Sequence, residues 1–288
     1  MYPGPFEYHR AGSVQEAVDL LARYGDGARL LAGGHSLLPL MKLRLADPKH
    51  LVDIRRIPGL SGVREESGAL VIGAATPYQV LERSPVVRQR LPILSEAASQ
   101  IGDPQVRNMG TLGGSLAHAD PAADLPAVML ALGAELVAVG PKGTRSIPIG
   151  LFFLKLFTTA LGPGEMLTEV RLPLPSAGTG GAYAKFAHPA SRYAVVGVAA
   201  VVTVAAGKVT AAKVAITGVG PKASRASGTE AALIGKAGDA AAVASAAEKV
   251  TEGLTLRSDA RMDPDYWRAL AVTFTRRAVA TALERAGG

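Results

Sequence analysis

Two short segments restrict this chain more than any other feature: "AGGHS" at residues 32–36 and "TLGGS" at residues 111–115. Each places a Gly-Gly pair after apolar residues and ahead of a serine. Glycine has no Cβ, so it reaches positive φ without strain and lets backbone N–H groups approach an anion closely. Successive N–H groups in such a turn form a concave anion site. Two of them could clasp the two phosphates of a dinucleotide from opposite sides, with Ser36, Thr111 and Ser115 adding hydroxyls. Each alone is also compatible with a plain turn. Neither segment fits G-x-G-x-x-G or G-x-x-x-x-G-K-[ST], so a Rossmann site and a P-loop are not expected.

The surrounding sequence predicts mixed helix and strand. Ser13 and Glu16 form a capping box ahead of a helix that Gly25 ends. "ARLLAGG" and "HLVDI" read as strands. "SLLPLMKLRLA", interrupted by Pro39, reads as a loop or short helical turn. "GVREESGALVIGAAT" reads as a hairpin turning at Ser67 and Gly68. "PYQVLERS" and "PILSEAASQIG" read as helices opened by proline. The glycine-rich stretch from Asp103 reads as a loop system ahead of an apolar helix, "PAVMLALG". "AELVAVG" and "KGTRSIPI" then pair as a hairpin. "PLPSAGTGG", residues 173–181, is the linker candidate. Three strands follow, then helices beginning near Ser224, Asp239 and Pro264, an α+β arrangement. These breaks divide the chain into 1–55, 56–177 and 178–288, in keeping with two or three core-forming units for 288 residues.

Composition excludes several chemistries. There is no cysteine, so disulfides, iron–sulfur ligation and thiol nucleophiles are ruled out in this chain. Catalytic hydrolase motifs G-x-S-x-G and H-E-x-x-H are absent. No catalytic residue and no metal ligand set is expected, since His118 and Asp120 alone do not make a site. The net charge of +7 suits an anionic ligand or acidic partner, but the basic residues are scattered, and aromatic content of 5% offers little for base stacking, so nucleic acid is not an expected partner. No secretory signal is expected, and the longest apolar run, Ala194–Ala206, is too short for a membrane span.

"LLAGGHSLLPLMKLRLADPKHLVDI" and "IGDPQVRNMGTLGGSLAHADPAADLPA" resemble the FAD-binding medium subunits of molybdenum hydroxylases. The likeness is strongest to the aerobic carbon monoxide dehydrogenase type. Relatives include flavin domains of xanthine dehydrogenases and aldehyde oxidoreductases. It covers essentially the whole chain. It implies an α+β, vanillyl-alcohol-oxidase-type (PCMH-like) fold, with FAD between two subdomains and a C-terminal α+β domain closing over it. By this resemblance Ala32, Gly33, Gly34, His35, Ser36 and Leu37 bind the pyrophosphate region, and Thr111, Gly113, Gly114 and Ser115 approach it from the other side. Asp124 accepts hydrogen bonds from ribityl or ribose hydroxyls; a helix N-terminal acid is the alternative. Leu161 contacts the flavin, or is plain core. Lys185 approaches the ring, where a cation would stabilise reduced, anionic flavin. Tyr193 lies against the ring, or is a strand-entry aromatic.

The resemblance further implies a large molybdenum-containing subunit and a small subunit with two [2Fe–2S] clusters as partners, in a dimer of heterotrimers. The external acceptor would be a quinone, NAD or another oxidant. The expected setting is cytoplasmic, with peripheral attachment at the inner face of the membrane left open. The segment "SLAHADPAADLPA" departs from the carbon monoxide oxidisers and keeps xanthine, aldehyde or N-heterocycle substrates open. A free-standing FAD oxidoreductase and a cofactor-free basic adaptor are the other readings.

Overall fold

A computed structural model describes residues 2–258 and 263–287. Its strands form three main sheets in chain order. The first is parallel and three-stranded: β1 (Glu7–Arg10), β2 (Ala28–Leu31) and β3 (His50–Asp53), with β3 in the middle. The helix α1 (Val14–Tyr24) connects β1 to β2. Ser13 Oγ accepts from Glu16 N–H, and Glu16 Oε2 accepts from the Gly12 N–H, one residue before the position a capping box would use. A short helix, α2 (Leu37–Lys42), tolerates Pro39 because that residue lies in its first turn, where no N–H donor is needed.

The second sheet is antiparallel: β4 (Val63–Glu66), β5 (Ala69–Gly73), β6 (Glu135–Gly140), β7 (Gly143–Pro148) and β10 (Met166–Pro173), ordered β4-β5-β10-β6-β7. A small hairpin, β8 (Phe153–Lys155) and β9 (Thr158–Thr159), lies between β7 and β10 in the chain. The predicted turn at Ser67 and Gly68 is present, both residues having positive φ. Six helices occupy the long crossover between β5 and β6: α3 (Tyr78–Arg83), α4 (Pro85–Arg90), α5 (Pro92–Ser99), α6 (Pro104–Met109), α7 (Leu112–His118) and α8 (Asp124–Leu132). The stretch expected to be loops thus folds into α6 and α7. Asp103 Oδ1 caps α6 through Val106 N–H, and Thr111 Oγ1 caps α7 through Gly114 N–H.

The third sheet runs β11 (Thr179–Ala187), β12 (Ala194–Ala205), β13 (Lys208–Thr217) and β14 (Ser224–Arg225) in sequential antiparallel order. It is followed by α9 (Ser227–Leu233), α10 (Ala240–Ala247) and α11 (Pro264–Gly287). The apolar run near residue 200 is β12, a central strand buried along most of its length. The helix α11 covers β11 and β12 on one face. Every residue of α8 is buried, and this helix packs on β12 and β13 from the other side. One continuous core therefore joins the second sheet's helices to Tyr183, Ala199 and Ala215 of the third sheet. No described helix is long and apolar enough to cross a membrane.

One buried charge secures the first sheet. Asp53, 4% exposed at the end of β3, accepts from Tyr8 Oη at 2.6 Å and from Arg55 Nη2 at 2.6 Å. Burial pushes its carboxyl up, but these bonds and the Arg55 charge outweigh that and hold it at about 2. Because the folded value is depressed, the stabilisation is complete above the ordinary carboxylate range and is lost as pH falls toward 2. Asp53→Asn should cost about 1–2 kcal/mol at neutral pH, and its unfolding free energy should converge with wild type between about pH 4 and pH 2. Urea titrations across that range check this; a pH-independent difference contradicts it.

Candidate functional site

The two glycine segments meet. A Cβ on Gly33 would fall onto the backbone carbonyl of Met109 and lie 2.9 Å from the Cα of Gly110. Only a hydrogen fits, so the loop after β2 abuts the turn between α6 and α7 backbone to backbone. Gly113 presses on Ala74 in the same way, where a Cβ would lie 2.6 Å from the Ala74 Cβ. These two glycines are required by protein contacts, not by a left-handed conformation. Gly34 is the residue with positive φ, at 74°.

The two segments differ sharply in what their amides do. In α7 the N–H groups of Leu112 and Gly113 donate to the Thr76 and Ala74 carbonyls. Those of Gly114 and Ser115 donate to Thr111 Oγ1 and the Thr111 carbonyl. All four are consumed within the protein. From Ala32 to Leu37, by contrast, no amide has an acceptor among the described residues. This run lies at a half-buried to exposed surface and contains the left-handed Gly34. Consecutive unpaired amides around such a residue are the donor set that an anion needs.

A cleft opens beside that loop. His35 and Ser36 contribute to its wall from the loop, Ser115 and His118 from α7, Tyr78 from α3, and Ile101, Gly102 and Val106 from around the start of α6. Asp120, Ala123 and Asp124 line it at the start of α8, and Ser191, Arg192 and Tyr193 from the β11–β12 turn. The Tyr193 hydroxyl is pushed up by burial and by the charge of Asp120, while the Ser36 hydroxyl acts against the shift. Its side of the cleft thus belongs to the third sheet, while Ser36 belongs to the first. Tyr78 closes against Gly110, and its hydroxyl is raised by burial, with the Ser115 hydroxyl acting against the shift. Burial holds His118 below its ordinary value, with Asp120 opposing.

The third sheet also fixes the entry to α8. Thr217 Oγ1 donates to the carbonyls of Pro121 and Ala123, Gly218 N–H donates to Pro121, and Ala194 N–H donates to Ala122. Asp124 follows, 5% exposed. Tyr183 Oη donates to its Oδ1 at 2.5 Å, and Lys185 Nζ donates to its carboxylate at 2.9 Å and to the Gln100 carbonyl at 3.1 Å. Burial pushes the Asp124 carboxyl up, against the Lys185 charge and both hydrogen bonds. Tyr183 and Lys185 share one face of β11 by the two-residue period of a strand. Sequence reasoning missed Tyr183; that alternation next to Lys185 was the signal available.

Of the residues singled out by sequence, His35, Ser36, Ser115, Asp124 and Tyr193 line the cleft. Ala32, Gly33, Gly34 and Leu37 form the adjoining amide run, and Leu37 packs on the small core of Leu31, Met41 and Leu51. Thr111, Gly113 and Gly114 serve the start of α7. Lys185 is buried behind Asp124, and Leu161 packs against the large core. Tyr78, Ile101, Val106 and His118 line the cleft without having been anticipated.

These residues fit an FAD. Free amides and the Ser36 and Ser115 hydroxyls suit a diphosphate. A carboxylate has acceptor sites beyond the two used on Asp124, which suits sugar or ribityl hydroxyls. Tyr193, 42% exposed, offers an aromatic face.

Comparison with known proteins agrees. Residues 4–175 match the family described as the FAD binding domain in molybdopterin dehydrogenase, and residues 181–282 match the CO dehydrogenase flavoprotein C-terminal domain. The chain is 46% identical over 285 residues to the carbon monoxide dehydrogenase medium chain of Hydrogenophaga pseudoflava, covering 99% of both. It is 40% identical over 287 residues to the 6-hydroxypseudooxynicotine dehydrogenase complex subunit alpha of Paenarthrobacter nicotinovorans, covering 99% of this chain and 97% of that one. A solved carbon monoxide dehydrogenase from Hydrogenophaga pseudoflava, lacking the Mo-pyranopterin moiety of its cofactor, superposes with a TM-score of 0.96 at 48% identity over 99% of both chains. The α+β fold is thus that of an FAD-binding domain followed by a flavoprotein C-terminal domain, and the chain belongs to the FAD-binding medium-subunit family of the molybdenum hydroxylases.

Proposed function

We propose that this chain is the flavin-carrying electron-transfer subunit of a heterotrimeric molybdenum hydroxylase of the carbon monoxide dehydrogenase type. It would connect [2Fe–2S] clusters on a small subunit to an external acceptor, a quinone, NAD or another oxidant, while substrate chemistry takes place at molybdenum on a large subunit. Two such heterotrimers would pair, in the cytoplasm. The observation that carries this reading is the run of amides at Ala32–Leu37 without an acceptor among the described residues, beside a cleft that His35 and Ser36 line and Tyr193 borders from the third sheet. The absence of cysteine supports it, since no cluster can reside on this chain. The limits 1–55, 56–177 and 178–288 would mark its domains, as each contains one main sheet.

FAD, when bound, supplies a redox centre that accepts and releases electrons singly or in pairs. The chain's own residues bind, orient and shield it. The amides from Gly33 to Leu37 would hold the diphosphate, aided by Ser36 and Ser115. Thr111, Gly113 and Gly114 would act indirectly, by fixing α7 against the loop. Asp124 would accept from the ribityl or ribose hydroxyls while Tyr183 and Lys185 hold it in place. Lys185 would thus act on the flavin through Asp124, its ammonium already being balanced by that carboxylate. Tyr193 would stack on the ring. Leu161 would support the cleft from the core. The substrate would be set by the large subunit: relatives in this family bear the names of carbon monoxide and 6-hydroxypseudooxynicotine dehydrogenases.

The purified chain, co-expressed with its partners, should carry one FAD and co-elute with one larger and one smaller subunit. Gly34→Val should abolish FAD retention, because a β-branched residue resists a φ of 74° and its Cβ would meet the Leu38 side chain at 2.9 Å. Absorption spectra and subunit analysis read both results. Full FAD in Gly34→Val contradicts the diphosphate assignment, and an active, flavin-loaded chain without partners contradicts the subunit reading.

Lys185→Met should cost roughly 3–5 kcal/mol in urea unfolding, since it removes the ammonium from a buried carboxylate. Combining it with Asp124→Asn should recover much of that loss. Additive costs in the double variant would show that the two side chains do not act as a pair.

A further inference from the structure

The first sheet carries a second cluster that takes no part in the cleft. Glu7 and His9 lie two residues apart on β1 and so share one face of the sheet. His50 on β3 is the register partner of Glu7, on that same face. The three side chains converge. His9 Nε2 lies 3.1 Å from His50 Nδ1, His50 Nδ1 lies 3.4 Å from Glu7 Oε2, and His9 Nε2 lies 3.7 Å from that oxygen.

These separations have a specific meaning. Ligand atoms about 2.0–2.1 Å from a tetrahedral cation are roughly 3.3–3.4 Å from one another. The three distances bracket that value, so the three atoms are spaced as ligands of one cation would be, with the two imidazoles sharing a hydrogen bond when no cation is bound. The rings are also held. Tyr24 stacks on His50 with centroids 3.7 Å apart, and on His9 at 5.0 Å. Both imidazoles are about four-fifths buried, whereas Glu7 is largely exposed, which leaves the fourth corner open to water. Two imidazoles and one carboxylate are the ligand types of zinc and its neighbours, not of magnesium or calcium.

We propose that Glu7, His9 and His50 form a binding site for one zinc-class divalent cation, with water as fourth ligand. The cation ties β1, an edge strand of four residues, to the central strand of the first sheet. No cysteine competes for such a metal, and none of the three ligands borders the flavin cleft. Sequence alone could not reveal the set, because His50 is 41 residues from His9 and only the parallel register brings them together.

The test uses the full-length chain stripped with EDTA and titrated with Zn2+ against a chromophoric chelator, and with Co2+ read as a difference spectrum. One Zn2+ should bind per chain with a dissociation constant of about 10 μM or tighter, and Co2+ should show the intense visible bands of tetrahedral coordination. His9→Gln and His50→Gln should each weaken binding at least about tenfold, and Glu7→Gln less. Zn2+ should raise the melting temperature of wild type but not of the histidine variants. Equal metal-free melting temperatures would show that the variants fold. Absence of saturable binding up to about 1 mM Zn2+, or unchanged affinity in both folded histidine variants, overturns the proposal.

Discussion

The cleft depends on a contact in which two stretches of backbone touch with nothing between them. At Gly33 there is room for a hydrogen and no more, because the Met109 carbonyl and the Gly110 Cα fill the place of a side chain. Gly113 against Ala74 repeats the arrangement one turn further on. Dense backbone packing of this kind transmits position faithfully, since it has no rotamers to absorb a shift. It sets the loop after β2 beside the start of α7. The consequence for binding is asymmetric: the loop keeps its amides free, while α7 spends its own on Thr76, Ala74 and Thr111.

The third sheet completes what the first two begin. Thr217, Gly218 and Ala194 hold the turn at Pro121–Ala123, which determines where α8 starts. Tyr183 and Lys185, from the same sheet, occupy Asp124. A buried carboxylate with two donors of this kind is costly to disturb, so the floor of the cleft is stiff. Tyr193 stands at the rim on a turn that includes Arg192 at positive φ. The C-terminal sheet therefore helps to build the cleft and is not an appendage to it.

Much of this was legible from residues alone. Helix α1 announces itself through Ser13, Glu16 and Gly25, and the β4–β5 hairpin through Ser67 and Gly68. The apolar run of β12 reads directly as a buried strand. Helices α6 and α7 did not, for a physical reason. Gly113 and Gly114 lower intrinsic helix propensity, and what restores the helix is a Thr111 cap and acceptors at Ala74 and Thr76, some 40 residues away in sequence. Strand β1 is short and polar, and only its pairing with β3 makes it a strand. The site residues divide likewise. Motif likeness singled out the glycines, Asp124, Lys185 and Tyr193, of which Asp124 and Tyr193 line the cleft. The division of labour between the two glycine pairs, and the balancing of Lys185 by Asp124, depend on long-range contacts that no local pattern encodes.

Hydrogen–deuterium exchange, read peptide by peptide with and without FAD, tests the central claim most directly. The account predicts that FAD slows exchange across the amides of Gly33–Leu37, which have no acceptor among the described residues, and leaves Leu112–Ser115 nearly unchanged, since those amides are already bonded. Protection confined to 112–115, or none at 33–37 in a chain saturated with FAD, would contradict it.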